Sequence, residues 1–351
     1  MMCHRQSRVV LGALCLVVAL SACRFTGFGN PPVEASADEG VTWLKTQQQT
    51  DGGFEVAGFP GFETPDAVLA IASAAQTAYA WDKTQARTAV IATVKNGHTP
   101  LHALDDFADG TGAGAIDAGQ AAKLITLVTV PLGLSSTAFD PDGDGAKNLV
   151  ATVDAGLLPN GSYGLFGATL SAAVAKKAAG STVPAATVAY IKAAQQANGG
   201  WNYSATPTGT DLDIDTTASA IEALVAAGVP ATDADLHQGL AFLAAQQRTS
   251  GAWQGFGAHD DPNSTSTAIV AITAAGFDVQ AACWRNTVAP GLAGNPYPGP
   301  LNWLRFVQTP AGRFVSPNDG SGINTFATSQ SVQALERNWL PITPLAPQTC
   351  P

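Results

Sequence analysis

Asp211-Leu212-Asp213-Ile214-Asp215-Thr216-Thr217-Ala218 places three acids just ahead of an Ala-rich helical run. A carboxyl there has two uses. Desolvated and hydrogen-bonded, it can stay protonated and act as a general acid. Turned toward the free amides of a helix start, it caps them. Asp213 and Asp215 are the candidate acids, and Asp215 or Thr216 is the candidate cap. His259-Asp260-Asp261 faces the same side if the surrounding segments repeat in register. A carboxylate pair such as Asp215 with Asp261 would suit glycoside hydrolysis. Trp201, Tyr203, Trp253, Asp211, His259 and Asp261 form the candidate ligand-binding set.

A second acidic group reads Asp140-Pro141-Asp142-Gly143-Asp144-Gly145. Acids at positions 1, 3 and 5 with Gly at 6 resemble a calcium loop, and Asn148 stands at position 9. Ala151 occupies position 12, where a bidentate acid belongs. Such a half-site binds weakly unless another carboxylate folds in. Calcium through Asp140, Asp142, Asp144 and Asn148 is therefore the metal expectation, with an acidic Pro/Gly turn as the plain alternative.

These residues sit in a repeating frame. An apolar-periodic run ends in a Gly-aromatic turn, and a second small-residue helix follows. The turns are Gly52-Gly53-Phe54, Gly161-Ser162-Tyr163, Gly199-Gly200-Trp201, Gly251-Ala252-Trp253 and Gly312-Arg313-Phe314. The wide interval from Phe54 to Tyr163 leaves room for a degenerate copy, which residues 107–120 fill. Gly ends each first helix, and Ser, Thr or Asp opens the second. One such hairpin cannot bury its own apolar face, whereas six in a ring can. The expected fold is all-α: an α6/α6 toroid of six helical hairpins.

The N-terminus reads as a processing segment. Arg5 and Arg8 precede an apolar run too short to span a bilayer. Leu20-Ser21-Ala22-Cys23 resembles the bacterial lipoprotein signal, which implies cleavage before Cys23 and its lipidation. The expected layout is a signal peptide over 1–22, a tether over 23–38, the toroid over 39–341 and a tail over 342–351. An export compartment permits a disulfide between the two remaining cysteines, Cys283 and Cys350. The formal charge of −10 argues against nucleic acid as a partner. The expected location is the extracytoplasmic face of a membrane, held by the lipid, as a monomer.

The Gln-Gln-x-x-Gly-Gly-Trp pattern (Gln195–Trp201) and Asp215-Thr216-Thr217-Ala218 together resemble the prenyltransferase and squalene cyclase repeat superfamily. The resemblance spans nearly all of residues 38–341 and implies a central funnel. In cyclases of that superfamily the pattern is Asp-x-Asp-Asp-Thr-Ala, whose middle Asp protonates an alkene or epoxide. Asp213 and Asp215 match the first two carboxylates, while Thr216 replaces the third. Aromatic residues, which would steady cationic intermediates, make up only 7% of the chain. The zinc site of protein prenyltransferases is missing: Gln280-Ala281-Ala282 precede Cys283, and no His follows His259. No zinc is expected, and the Cys-Gly-Glu-Gln thioester motif is absent too. The leading expectation is a toroid binding an apolar or mixed-polarity ligand, or a cell-envelope partner, at its mouth. The alternatives are a terpene-cyclase-like enzyme with Asp215 as general acid, and a carbohydrate-active toroid.

Overall fold

The computed structural model describes residues 32–55, 61–76, 81–111, 114–317, 325–337 and 345–348. Among these the chain is helical, with three isolated β-bridges and no strand. Residues 1–31, including Cys23, lie outside the described part.

Six outer-to-inner hairpins follow one another. They are α1 (Val33–Gln47) with α2 (Thr64–Ala74), then, after a short α3 (Lys83–Ile91), α4 (Pro100–Asp109) with α5 (Ala118–Leu124). Next, beyond a short continuation α6 (Val130–Leu132), come α7 (Leu149–Ala155) with α8 (Phe166–Ala178) and α9 (Ala185–Ala193) with α10 (Ile214–Ala226). The last two are α11 (Ala234–Gln246) with α12 (Pro262–Ala274), and, after α13 (Cys283–Val288), α14 (Pro300–Val307) with α15 (Phe326–Glu336). The inner helices α5, α8, α10, α12 and α15 pack side by side, α2 meets the continuation of α5 beyond Leu124, and α15 returns to α2 and α1, closing the ring. The degenerate second copy predicted at 107–120 is the α4–α5 hairpin.

A π-turn, Ile125–Thr129, joins α5 to α6. Pro131 has no amide to donate and its ring crowds the preceding turn, so a widened turn relieves the clash. Apolar residues fill the space between inner and outer layers in two half-rings, bridged by α8 and α15, which contribute to both.

The turn geometry recurs with little variation. The amides of Phe54, Tyr163, Trp201, Trp253 and Phe314 donate to the hydroxyls of Thr64, Thr169, Thr217, Thr265 and Thr328, at 2.9–3.0 Å. The first-turn hydroxyls that the sequence suggests as caps instead reach back to the preceding turn. The second copy lacks this Thr, and Asp117 with Gln120 forms a reciprocal capping box there.

The glutamines do the complementary work. The side-chain amides of Gln48, Gln195, Gln247 and Gln308 donate to the carbonyls of Gly52, Gly199, Gly251 and Gly312 within their own turns. Each also reaches the next segment: Thr93 O, Asp235 O, Pro298 O and, closing the circle, Ser36 O at 2.7 Å. Ser36 and Ala37 are fully buried. The ring therefore begins at Val33, inside the segment expected to be a tether.

At the other end, Leu345 and Gln348 donate their amides to Ala274 O and Gly276 O, pinning that stretch to the end of α12. Cys283 opens α13, while Cys350 lies outside the described residues, as do the expected boundary residues at 341–342.

Gln308→Ala removes both the turn bond and the closing bond to Ser36. It is expected to destabilise the fold by about 1–3 kcal/mol. Gln47→Ala, outside this network, should stay within about 0.5 kcal/mol of the parent. Denaturant melts of the two variants check this, and equal losses would contradict a closing role for Gln308.

Candidate functional site

The six inner helices enclose a cavity of about 270 Å³. Leu127, Leu170, Val174, Val270 and Phe326 supply an apolar wall. Two features of the inner helices set its polarity: small residues that allow close approach, and a few side chains that point inward.

Glu222 is the most informative of these. It lies on α10 one turn beyond Ala218, on a helix otherwise built from Ala, Ile, Leu, Val, Ser and Thr around it. It lines the cavity and has no hydrogen-bond or ion-pair partner among the described residues. Burial alone pushes its pKa up to about 8, so at neutral pH the carboxyl is largely a protonated acid. The sequence reading missed it, although one acid in the Ala-rich run 218–227 was the available signal.

Lys123 does not neutralise Glu222. Its ammonium sits 2.7 Å from the Asp66 carboxylate, donates to Phe62 O, and lies 4.8 Å and 5.4 Å from the ring centres of Phe62 and Phe326. Those rings stack at 5.0 Å. Gln330 also lines the cavity, and its buried Oε1 has no hydrogen-bond partner.

The two predicted acids take different roles. Asp213, not Asp215 or Thr216, caps α10: its carboxylate accepts from Thr216 N (2.9 Å), Thr216 Oγ1 (2.7 Å) and Tyr203 N (3.1 Å). Asp215 points across to α12 and accepts from Ser264 Oγ (3.1 Å) and Thr267 Oγ1 (3.0 Å). Thr267 itself lines the cavity. Protein surrounds Asp215 within the ring, yet solvent reaches it. Burial pushes its pKa up to about 6, aided by the Asp213 and Asp261 charges and opposed by the two hydroxyls. Glu222 is seven residues on, so about 10 Å deeper along the helix axis. The ring thus holds one acid near its mouth and a second, more strongly perturbed one inside.

The predicted ligand-binding set is dispersed. Trp201 and Trp253 are fully buried between helices, and their indoles donate to Ile191 O (2.7 Å) and Leu243 O (2.8 Å) of the outer helices. They are packing residues, because a large ring beside each Gly turn fills the gap between hairpins. Tyr203 and His259 are exposed outside the cavity wall. Asp211 accepts from Gln196 Nε2 (3.2 Å) and Asn202 Nδ2 (2.7 Å), which fixes its own loop. Asp261 is buried, caps α12 through Asn263 N (2.7 Å) and accepts from Ser316 Oγ (2.7 Å). These bonds commit Asp261 to structure, so it does not join Asp215 as a free carboxylate pair.

In the acidic loop three of the four predicted residues lie together, and a fourth acid comes from another helix. Oxygens of Asp140, Asp142 and Asp144 and of Asp105 all lie within 4.8 Å of one another. Asn148 does not join them: its side-chain oxygen caps α7 through Ala151 N (2.9 Å). Asp105 comes from α4, where it shares the buried face of Leu101, Leu104 and Ala108. Burial pushes the Asp105 carboxyl up to about 7, with Asp142 and Asp109 adding to the rise and the Asp142 amide opposing it. Contact with the Asp109 carboxyl raises Asp144.

No protein-family model matches the chain, and no curated protein is similar to it. Solved structures share its fold. The apo type II terpene cyclase MstE from Scytonema is 16% identical, with 87% of this chain and 97% of that one covered at a TM-score of 0.60. A variant of MstE in complex with geranylgeranyl dihydroxybenzoate matches with the same coverage and TM-score at 15% identity. A protein from Actinoplanes matches at 17% identity, 87% and 99% coverage and a TM-score of 0.52. The chain has the α/α-toroid fold of these terpene cyclases.

The Glu222 shift gives a signed expectation. Its folded pKa, about 8, exceeds the ordinary 4.5, so its protonated form stabilises the fold below about pH 4.5 and that contribution fades as pH rises through 8. Glu222→Gln should therefore decline less in stability than the parent between pH 5 and pH 9, as read from melting temperatures. Parallel pH curves would contradict a protonated Glu222 inside the ring.

Proposed function

We propose that this toroid binds an apolar chain carrying one hydrogen-bonding group, with the chain along the cavity wall and the polar group against Glu222 and Gln330. The observation that carries the reading is the cavity itself: an apolar wall drawn from the inner helices, with an unpaired, protonated acid inside. Concave apolar sites with a few convergent polar groups are the usual form of small-molecule sites. A neutral carboxyl can both donate and accept, so it binds an alcohol or carbonyl without leaving a buried charge behind. The prenylated molecule held by the structurally similar MstE variant supports the same ligand class.

Binding is the primary reading because the acid chemistry is incomplete. Asp213 is spent on capping, and Thr216 stands where a third carboxylate would complete the acid network. A second reading has one favourable observation, the raised pKa of Asp215 between two hydroxyl donors. In it the Asp215 carboxyl gives its proton to an alkene carbon, leaving a carboxylate and a carbocation, and the cation later returns a proton to that carboxylate.

We further propose that the protein works at the extracytoplasmic face of a membrane, tethered by lipid at Cys23. The Leu20–Cys23 motif supports this. No helix among the described residues is long and apolar enough to cross a bilayer.

Calorimetry with geranylgeraniol tests the binding reading. The parent should bind saturably, and Val174→Trp, which fills the cavity, should lose that binding while melting as one folded unit. Binding unchanged by Val174→Trp would contradict the cavity as the site. If Asp215→Asn removes a cyclised product formed by the parent while Glu222→Gln keeps it, the second reading replaces the first. For the tether, Cys23→Ser should move the protein from the membrane fraction to the soluble one, and an unchanged distribution would refute it.

A further inference from the structure

We infer that Asp105, Asp140, Asp142 and Asp144 form a calcium site that clamps the outer helix α4 to the loop ahead of α7. The inference is independent of what the cavity binds. The loop is shaped before any ion arrives. Phe139 and Lys147 exchange two backbone hydrogen bonds of 2.9 Å, closing residues 140–146 into a hairpin-like loop. Inside it, Asp140 accepts from Gly143 N (2.8 Å) and Asp142 accepts from Asp144 N (3.1 Å). Gly143 has φ +90°, a conformation a side chain would strain. These bonds fix the carboxylates of Asp140 and Asp142, and that of Asp144 lies beside them.

Asp105 is the second, independent observation. It is only 1% exposed, and its Oδ1 has no hydrogen-bond partner, while Oδ2 accepts from Asp142 N at 3.0 Å. A buried carboxylate oxygen left unpaired beside three other acids is costly, and a cation removes that cost. Lys147 does not serve, because its ammonium is paired with Asp109 at 3.2 Å. Asp105 thus fills the gap at position 12 of the loop, supplied from a different helix in place of Ala151.

The donor set favours calcium. All four oxygens fit within 4.8 Å of one another, a span that calcium can bridge with its oxygen bonds of about 2.3–2.6 Å. Magnesium sheds its waters reluctantly and is seldom held by an all-protein set of carboxylates. Four carboxylates also leave room for waters in the six to eight positions that calcium takes.

The test uses the full chain, stripped with a chelator and titrated with calcium chloride by calorimetry, with parallel thermal melts. One saturable event is expected, with Kd about 10⁻⁴–10⁻³ M, the weak end of protein calcium sites, and a calcium-dependent rise in melting temperature. Magnesium at the same concentration should raise it less. Asp105→Asn and Asp144→Asn should each weaken calcium binding at least about tenfold, a loss in the range seen when a metal site's supporting groups are removed. Asp144 is exposed, so its variant decides the matter if the Asp105 variant does not fold. Asp154→Asn, whose acid pairs with Lys176 outside the site, should bind as the parent does. No saturable heat up to about 10 mM calcium, equal shifts with magnesium, or parent-like affinity in Asp144→Asn would each overturn the assignment.

Discussion

The fold depends on hydrogen bonds made at five of its turns. A Gly-aromatic turn exposes backbone amides and carbonyls in the crowded layer between helices, where water cannot serve them. One Thr hydroxyl takes the aromatic amide, and in four turns a Gln side chain takes the Gly carbonyl and a carbonyl of the following hairpin. The Gln at the end of one outer helix therefore sets the position of the next hairpin. Repeated around the chain, this local rule ends in Gln308 gripping Ser36, so that closure uses the same bond as propagation. The indoles of Trp201 and Trp253 extend it by satisfying carbonyls at the ends of their outer helices.

Closure determines what the centre can be. The inner helices carry Ala at many contact positions, so they approach closely and leave only a narrow space. A carboxyl placed there loses water without gaining a cation, because Lys123 is already held by Asp66 and two aromatic rings. The raised pKa of Glu222 is a consequence of the ring's geometry more than of any specific partner. Asp215, nearer the mouth, keeps two hydroxyl donors and some solvent, and its shift is correspondingly smaller.

The repeat frame was legible because it rests on residues with a single strong purpose. Gly at a left-handed turn and a large ring after it mark five hairpins, four of them with a Gln before the Gly, and the degenerate second copy was located from spacing. The site was less legible, for three physical reasons. Acids near a helix start look alike in sequence, so the division of labour between Asp213 as cap and Asp215 as cross-ring acceptor required the packing of α10 against α12. Trp201 and Trp253 look like ligand contacts until the ring buries them. Glu222 and Asp105 depend on long-range placement: Glu222 lines the cavity and Asp105 lies on the buried side of its helix, and the surroundings of each come from helices far away along the chain. The acidic loop itself was readable, and the fourth carboxylate that meets it was not, since Asp105 belongs to another hairpin.

The claim at the centre of this account is that closing the ring isolates one protonated carboxyl in an apolar space. The chain has six glutamates, so selective carbon-13 labelling of glutamate carboxyls gives a spectrum simple enough to assign by Glu222→Gln. Titrating the folded protein by NMR should show the Glu222 signal moving near pH 8. A midpoint near 4.5, the ordinary value for glutamate, would mean that the carboxyl is well solvated or paired, and the picture of a funnel that holds a protonated acid would be wrong.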